Sequence, residues 1–190
     1  NTATLFVYDG WRVVEEVAYN LTTHAKHIAA DYVLGPDYPD DIVAERRDVN
    51  GDGSFATEEN LYHLTDQQYS TVALMTGDGN VAERFSYDPF GTPSFYDGAG
   101  NAEHDLTGNT AELTTKPIFT RNLFTGQRYL PEQKAYDARN RVYSPKTGRF
   151  LTQDPASDPA NLGNPYTYVG NNPGSAVDPF GTESWLQNPL

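Results

Sequence analysis

The sequence has no cysteine and a single methionine among its 190 residues. Disulfide staples are excluded, and so are metal sites built on thiolates. The same absence leaves the compartment open. Basic residues are scarce: 13 Lys and Arg stand against 26 Asp and Glu, for a net charge of -13. So acidic a chain repels phosphate backbones and anionic headgroups, and neither nucleic acid nor an anionic membrane is expected as a partner. No run reaches the roughly 18 apolar residues that a membrane span needs. No signal peptide is visible. The opening residues Asn1-Thr2-Ala3-Thr4-Leu5 already read as strand, so the chain is expected to be a fragment whose targeting signal, if any, lies upstream.

What remains is aromatic and rich in turns. Tyr (13) and Phe (9) recur along the whole chain, and Gly (16) and Pro (13) are scattered through it. That mixture suits short strands between turns and argues against disorder. Residues 4–17 read as two strands around Asp9-Gly10, a strong hairpin signal. Ala18, Leu21, Ala25, Ile28 and Ala29 follow a loose helical spacing, so a short helix or insertion is expected over 18–31. Strands are expected at 31–35, 42–47, 61–66 and 69–75. The apolar/polar alternation of 81–88 marks a half-buried strand. Residues 98–115 are polar and loop-like, and 118–130 and 136–143 are again strand-like. The fold class is mainly β, with an antiparallel sheet, few short helices and one structural unit.

Residues 48–59 match a calcium-binding loop position by position. Asp48, Asn50 and Asp52 stand at loop positions 1, 3 and 5, Gly53 at 6, Phe55 at 8 and Glu59 at 12. Calcium takes six to eight oxygens, which Asp48, Asn50, Asp52 and Glu59 would supply from side chains and Ser54 from its carbonyl. The flanking residues read as strands, so the expectation is a Ca2+-stapled hairpin loop rather than a switching helix pair. Binding only the folded state, the ion would stabilise it. An ordinary Asn/Asp/Gly turn without an ion is the other reading. His24 and His27 stand three apart with no third ligand nearby and are not expected to hold a metal. Asn20-Leu21-Thr22 is a formal glycosylation sequon without secretory context.

An echo runs through the chain: Phe6-Val7-Tyr8-Asp9-Gly10, Phe85-Ser86-Tyr87-Asp88-Pro89-Phe90-Gly91 and Ala135-Tyr136-Asp137-Ala138. Each is an aromatic strand ending in Tyr-Asp, as in arrays that stack one unit on the next. The segment from Gly79 to Gly91 resembles the YD repeat of Rhs proteins. Downstream, 136–155, 164–173 and Asp178-Pro179-Phe180-Gly181 resemble, in order, the blocks of the Rhs repeat-associated core motif. The chain thus resembles the C-terminal region of an Rhs/YD-repeat protein. The divisions implied are a YD-repeat sheet over 1–134 carrying the acidic loop, the core motif over 135–182, and a short tail over 183–190.

The resemblance implies a spiral β-shell whose core motif curls inward as a plug and encloses a C-terminal payload. The tail 183–190 is too short to be that payload, which is expected to lie outside this chain. The implied partner is the upstream shell of the same protein, and the implied location is secreted or at the bacterial cell surface. In many members the core motif is an aspartyl autoprotease cutting after an Asp-Pro-x-Gly-hydrophobic sequence. Asp154 and Asp178 match its two aspartates, and Arg149 matches a nearby arginine able to hold a carboxylate. Paired carboxylates suit the chemistry, because one keeps a proton while the other activates water. The cut is expected near Thr182–Glu183, with Thr182 standing where the family pattern has a hydrophobic residue. The same aspartates also read as turn starters before Pro. A non-catalytic scaffold, or a surface adhesion and display module using Trp11 and the tyrosines, remain the alternatives.

Overall fold

The computed structural model describes residues 1–101, 120–156, 159–161 and 163–186. Most of the polar stretch expected as a loop over 98–115, the start of the strand expected at 118, and the end of the tail lie outside the described residues.

The first half of the chain is one antiparallel meander of eight strands in sequence order. The strands are β1 Thr2–Asp9, β2 Arg12–Asn20, β3 Lys26–Leu34, β4 Ile42–Arg47, β5 Asn60–Thr65, β6 Thr71–Thr76, β7 Val81–Tyr87 and β8 Pro93–Asp97. The Asp9-Gly10 signal closes β1 onto β2, with Asp9 opposite Arg12. Residues 18–31 correct the helical expectation. They are the end of β2, a turn, and the start of β3, paired in register through Val17–Ile28 and Tyr19–Lys26. The physical reason lies in Asn20, whose Oδ1 accepts the N–H groups of Thr22 and Thr23 at 2.9 Å each and turns the chain where a helix would have continued.

The second half adds a four-stranded antiparallel sheet, β9 Arg128–Leu130, β10 Ala135–Asp137, β11 Val142–Ser144 and β12 Arg149–Phe150, and a small pair, β13 Ala176–Val177 with β14 Trp185–Leu186. The stretch expected as one strand over 136–143 is two strands joined by a turn, in which the Asp137 carboxylate accepts the Arg139 N–H at 2.9 Å. Helical content among the described residues is limited to short 3-10 turns.

Aromatic rings join the two halves. Phe85 and Phe95 from the large sheet meet Tyr129, Tyr136, Tyr143, Phe150 and Tyr168 in one buried cluster. Tyr136 stands directly opposite Tyr129 and Tyr143 on the neighbouring strands, the close cross-strand geometry that stabilises a sheet. Two of the buried phenol oxygens are satisfied as well: Tyr136 donates to the Gly91 carbonyl and Tyr143 to the Phe90 carbonyl, both at 2.7 Å. No helix among the described residues is long and apolar enough to cross a membrane.

Candidate functional site

The turn between β10 and β11 carries Arg141, which is buried at 3% exposure. Its Nη2 lies 3.2 Å from Asp178 Oδ2 and 3.4 Å from Asp154 Oδ2. Two aspartates 24 residues apart in sequence are thus gathered on one guanidinium, out of water. Asp154 follows β12 and is fixed by Asn161, whose Nδ2 donates to Oδ2 at 3.1 Å, and by the Ala156 N–H at 2.8 Å to Oδ1. Asp178 follows β13. Its Oδ1 accepts the Thr182 N–H at 3.0 Å.

Burial pushes Asp178 up to about 6, against the pull of the Thr182 N–H and of Arg141. A carboxyl so placed holds its proton in mildly acidic solution and can deliver it to a leaving group. The pair therefore has the elements of carboxylate-assisted bond cleavage: shared confinement, one group biased towards the neutral form, and a cation to limit the repulsion.

Arg149 is exposed on β12, and the guanidinium between the two carboxylates is that of Arg141. Sequence reasoning passed over Arg141. The signal available was its place between Asn140 and Val142 just before a strand, where a tight turn aims the side chain into the core. Arg141 also stacks on Phe150, with its guanidinium carbon 3.6 Å from the ring centroid.

The acidic loop forms an excursion between β4 and β5, which pair through Glu45–Leu61. Asp48 lies at its base with its side chain buried, accepting N–H groups from Gly51 (2.7 Å) and Asp52 (3.0 Å) on Oδ1 and from Gly53 (2.8 Å) on Oδ2. Asp52 accepts the Ser54 N–H at 2.8 Å, and Asn50 accepts the Asp52 N–H at 2.8 Å. Glu59 is buried and bridges the loop, taking the Val49 N–H on Oε1 at 2.9 Å and the Ala56 N–H on Oε2 at 2.8 Å. Among the described residues no cluster of three or more His, Asp or Glu side chains is gathered as for a metal ion. The five expected ligands share one loop, and its oxygens are engaged by the loop's own N–H groups. The two histidines part company: His24 Nδ1 meets the Tyr19 hydroxyl at 2.7 Å, and His27 Nε2 lies 3.3 Å from Asp48.

No protein-family model matches the chain. Among characterised proteins it is 29% identical over 120 residues to the tRNA nuclease WapA of Bacillus subtilis, covering 60% of this chain and 4% of that protein. It is 31% identical over 129 residues to salivary gland surface protein 1 of Aedes aegypti, covering 68% of this chain and 3% of that protein. The chain therefore spans only a few per cent of the length of these relatives. Among solved structures, it aligns with TcdB2-TccC3 lacking its hypervariable C-terminal region at a TM-score of 0.56 and 17% identity, over 94% of this chain and 9% of that one. It aligns with the Photorhabdus luminescens Tc holotoxin pore at a TM-score of 0.54 and 16% identity, over 98% of this chain and 9% of that one. The chain shares the β-rich fold of these toxin assemblies.

Proposed function

We propose that this chain is a shell-and-plug segment of an Rhs-type encapsulating protein, and that it cleaves its own backbone near Thr182–Glu183. The observation that carries the reading is the convergence of Asp154 and Asp178 on Arg141, with Asp178 in contact with the backbone at Thr182. Asp178 is the proton donor to the leaving nitrogen, and Asp154 is the base that activates the attacking group. The likeness to the TccC3-containing structures supports the shell architecture. The upstream shell of the same protein is the partner, a payload beyond this chain is the cargo, and the location is secreted or at the cell surface. The nuclease activity named for WapA belongs to that protein, and the net charge of -13 disfavours RNA as a partner of this segment.

The acidic loop carries a second role in the same reading, a structural Ca2+ held by Asp48, Asn50, Asp52, the Ser54 carbonyl and Glu59. The donor types suit a hard cation, and each carboxylate oxygen that accepts one N–H keeps a second lone pair.

The test is the intact mass of the purified chain after prolonged incubation, beside an Asp154→Asn Asp178→Asn variant. Loss of the tail in the natural chain alone supports self-cleavage. Full mass in both leaves the scaffold reading in its place.

A further inference from the structure

The segment ahead of the expected cut is gripped by its carbonyls. Gln127 Nε2 donates to the Asp178 carbonyl at 2.8 Å, Arg139 to that of Pro179, Asn140 Nδ2 to that of Phe180 at 2.9 Å, and Arg141 Nε to that of Gly181 at 2.6 Å. The last of these is both charge-assisted and buried, the setting in which a hydrogen bond polarises its acceptor most. The other end of the same peptide unit is the Thr182 nitrogen, which donates to Asp178. Side chains of the carboxylate cluster thus hold the Gly181–Thr182 peptide at both its oxygen and its nitrogen.

Two further features single out this bond. Gly181 is buried at φ +62°, and a Cβ there would stand 2.6 Å from the Ala138 carbonyl, so only glycine brings this carbonyl to Arg141. Next in the chain is a hydroxyl amino acid. The Thr182 side chain has no hydrogen-bond partner among the described residues, and a threonine hydroxyl can close a five-membered ring on the carbonyl carbon of the residue before it.

We propose that the chain breaks at Gly181–Thr182, by attack of the Thr182 hydroxyl on the Gly181 carbonyl carbon with Arg141 Nε receiving the developing oxyanion. The inference rests on the reading of this site as self-cleaving, and changes its nucleophile and its bond. Thr182 Oγ1 bonds to the carbonyl carbon and gives its proton to Asp178. Negative charge builds on the Gly181 oxygen, where Arg141 already donates. The C–N bond then breaks as Asp178 returns the proton to nitrogen, leaving an ester on Thr182 Oγ1 and a free Thr182 amine. Water hydrolyses the ester: its oxygen joins Gly181, and a proton goes back to Thr182 Oγ1. The products are a Gly181 carboxylate and an intact N-terminal threonine, with no oxidant or cofactor consumed. The mildly acidic titration of Asp178 suits a group that both takes and returns a proton. On this account the hydrophobic-to-Thr182 departure changes the route of cleavage.

The experiment follows cleavage of the full chain by mass spectrometry, with and without neutral hydroxylamine, for the natural sequence, Thr182→Ser and Thr182→Val, each checked for native circular dichroism. The expected result is a large fragment ending at Gly181, faster release in hydroxylamine with a Gly181 hydroxamate, retention in Thr182→Ser, and a loss of at least about 100-fold in Thr182→Val, which keeps the shape but removes the nucleophile. A fragment heavier by one threonine residue, unaffected by Thr182→Val, overturns this inference and leaves self-cleavage by activated water. A cut after Gly181 that persists in Thr182→Val overturns the hydroxyl attack. An uncut natural chain overturns both this inference and the proposed self-cleavage.

Discussion

Arg128 reaches back across 112 residues to Glu16, its Nη1 2.5 Å from the carboxylate Oε1. Glu16 sits on β2 and Arg128 on β9, so the pair ties the two sheets together. Arg47 and Tyr32 complete the cluster, Tyr32 donating to the same Oε1 at 2.6 Å. Burial alone would raise the Glu16 carboxyl, but Arg47 and Arg128 overcome it and hold Glu16 at about 2. A folded pKa below the unfolded 4.5 means stability present above pH 4.5 and lost as pH falls towards 2. We expect Glu16→Gln to cost about 3 kcal/mol at pH 7, and to flatten the acid limb of the stability profile. Urea midpoints between pH 2 and pH 7 check this, and equal acid limbs in both proteins would refute it.

Asp178 has the opposite sign. Its folded pKa of about 6 lies above the unfolded 3.8, so its contribution is fully present below 3.8 and is lost as pH rises through 6. Asp178→Asn keeps an oxygen for the Thr182 N–H and removes the buried charge. The variant should melt higher than the natural chain at pH 7.5 and at the same temperature near pH 4. A thermal melt at the two pH values measures the difference. A variant that is less stable at pH 7.5 would mean that Arg141 depends on the Asp178 charge more than burial penalises it.

The Tyr-Asp echo was the most legible feature of the sequence, and the structure shows its physical basis at two of its three copies. Tyr87 and Tyr136 send their hydroxyls to the carbonyls of Thr71 and Gly91. The aspartates beside them close turns, Asp88 on the Phe90 and Thr92 N–H groups and Asp137 on that of Arg139. In the first copy Tyr8 is exposed. Local turn chemistry also gave the Asp9-Gly10 hairpin and the strands flanking the acidic loop. The helical spacing over 18–31 misled because Ala and Ile fit either period until a capping side chain decides, and Asn20 decided. Arg141 was hard to reach because its role depends on Asp154 and Asp178 arriving from 13 and 37 residues away, and its place just before a strand does not by itself name the partners it meets.

Gly91, in the turn between β7 and β8, packs directly against the aromatic core. Its φ is +91°, and a Cβ there would lie 2.4 Å from the Phe124 ring. Phe124 cannot yield easily, because it is buried between Tyr87, Tyr136 and Tyr168. Gly91→Ala combines left-handed backbone with overpacking and should destabilise by about 2–4 kcal/mol. The same change at Gly79, also at positive φ but with nothing within 4 Å, should cost only about 1 kcal/mol. Chemical denaturation of the two variants isolates the packing share.

Glu59 decides the calcium reading of the acidic loop. Its carboxylate spans the loop, closing Val49 to Ala56. To bind Ca2+ with both oxygens it must turn towards the ion the lone pairs that those N–H groups leave free, while Asp48 and Asp52 add the lone pairs they still have. Added Ca2+ should then raise the melting temperature, by the equivalent of about 3 kcal/mol at 100 times its dissociation constant. Mg2+ should do much less, since it demands a tight octahedron and sheds water reluctantly. Glu59→Gln should abolish the calcium shift and also lower the melting temperature in chelator, because a neutral amide caps the loop less well than a carboxylate. Asp52→Asn, at an exposed position, should weaken the calcium response with little effect in chelator. Melting curves in chelator, 5 mM calcium (roughly the range of extracellular calcium modules) and matched magnesium separate these cases. A natural chain whose melting point ignores calcium would leave Glu59 as the clasp of a self-capped turn and remove the ion from this fold.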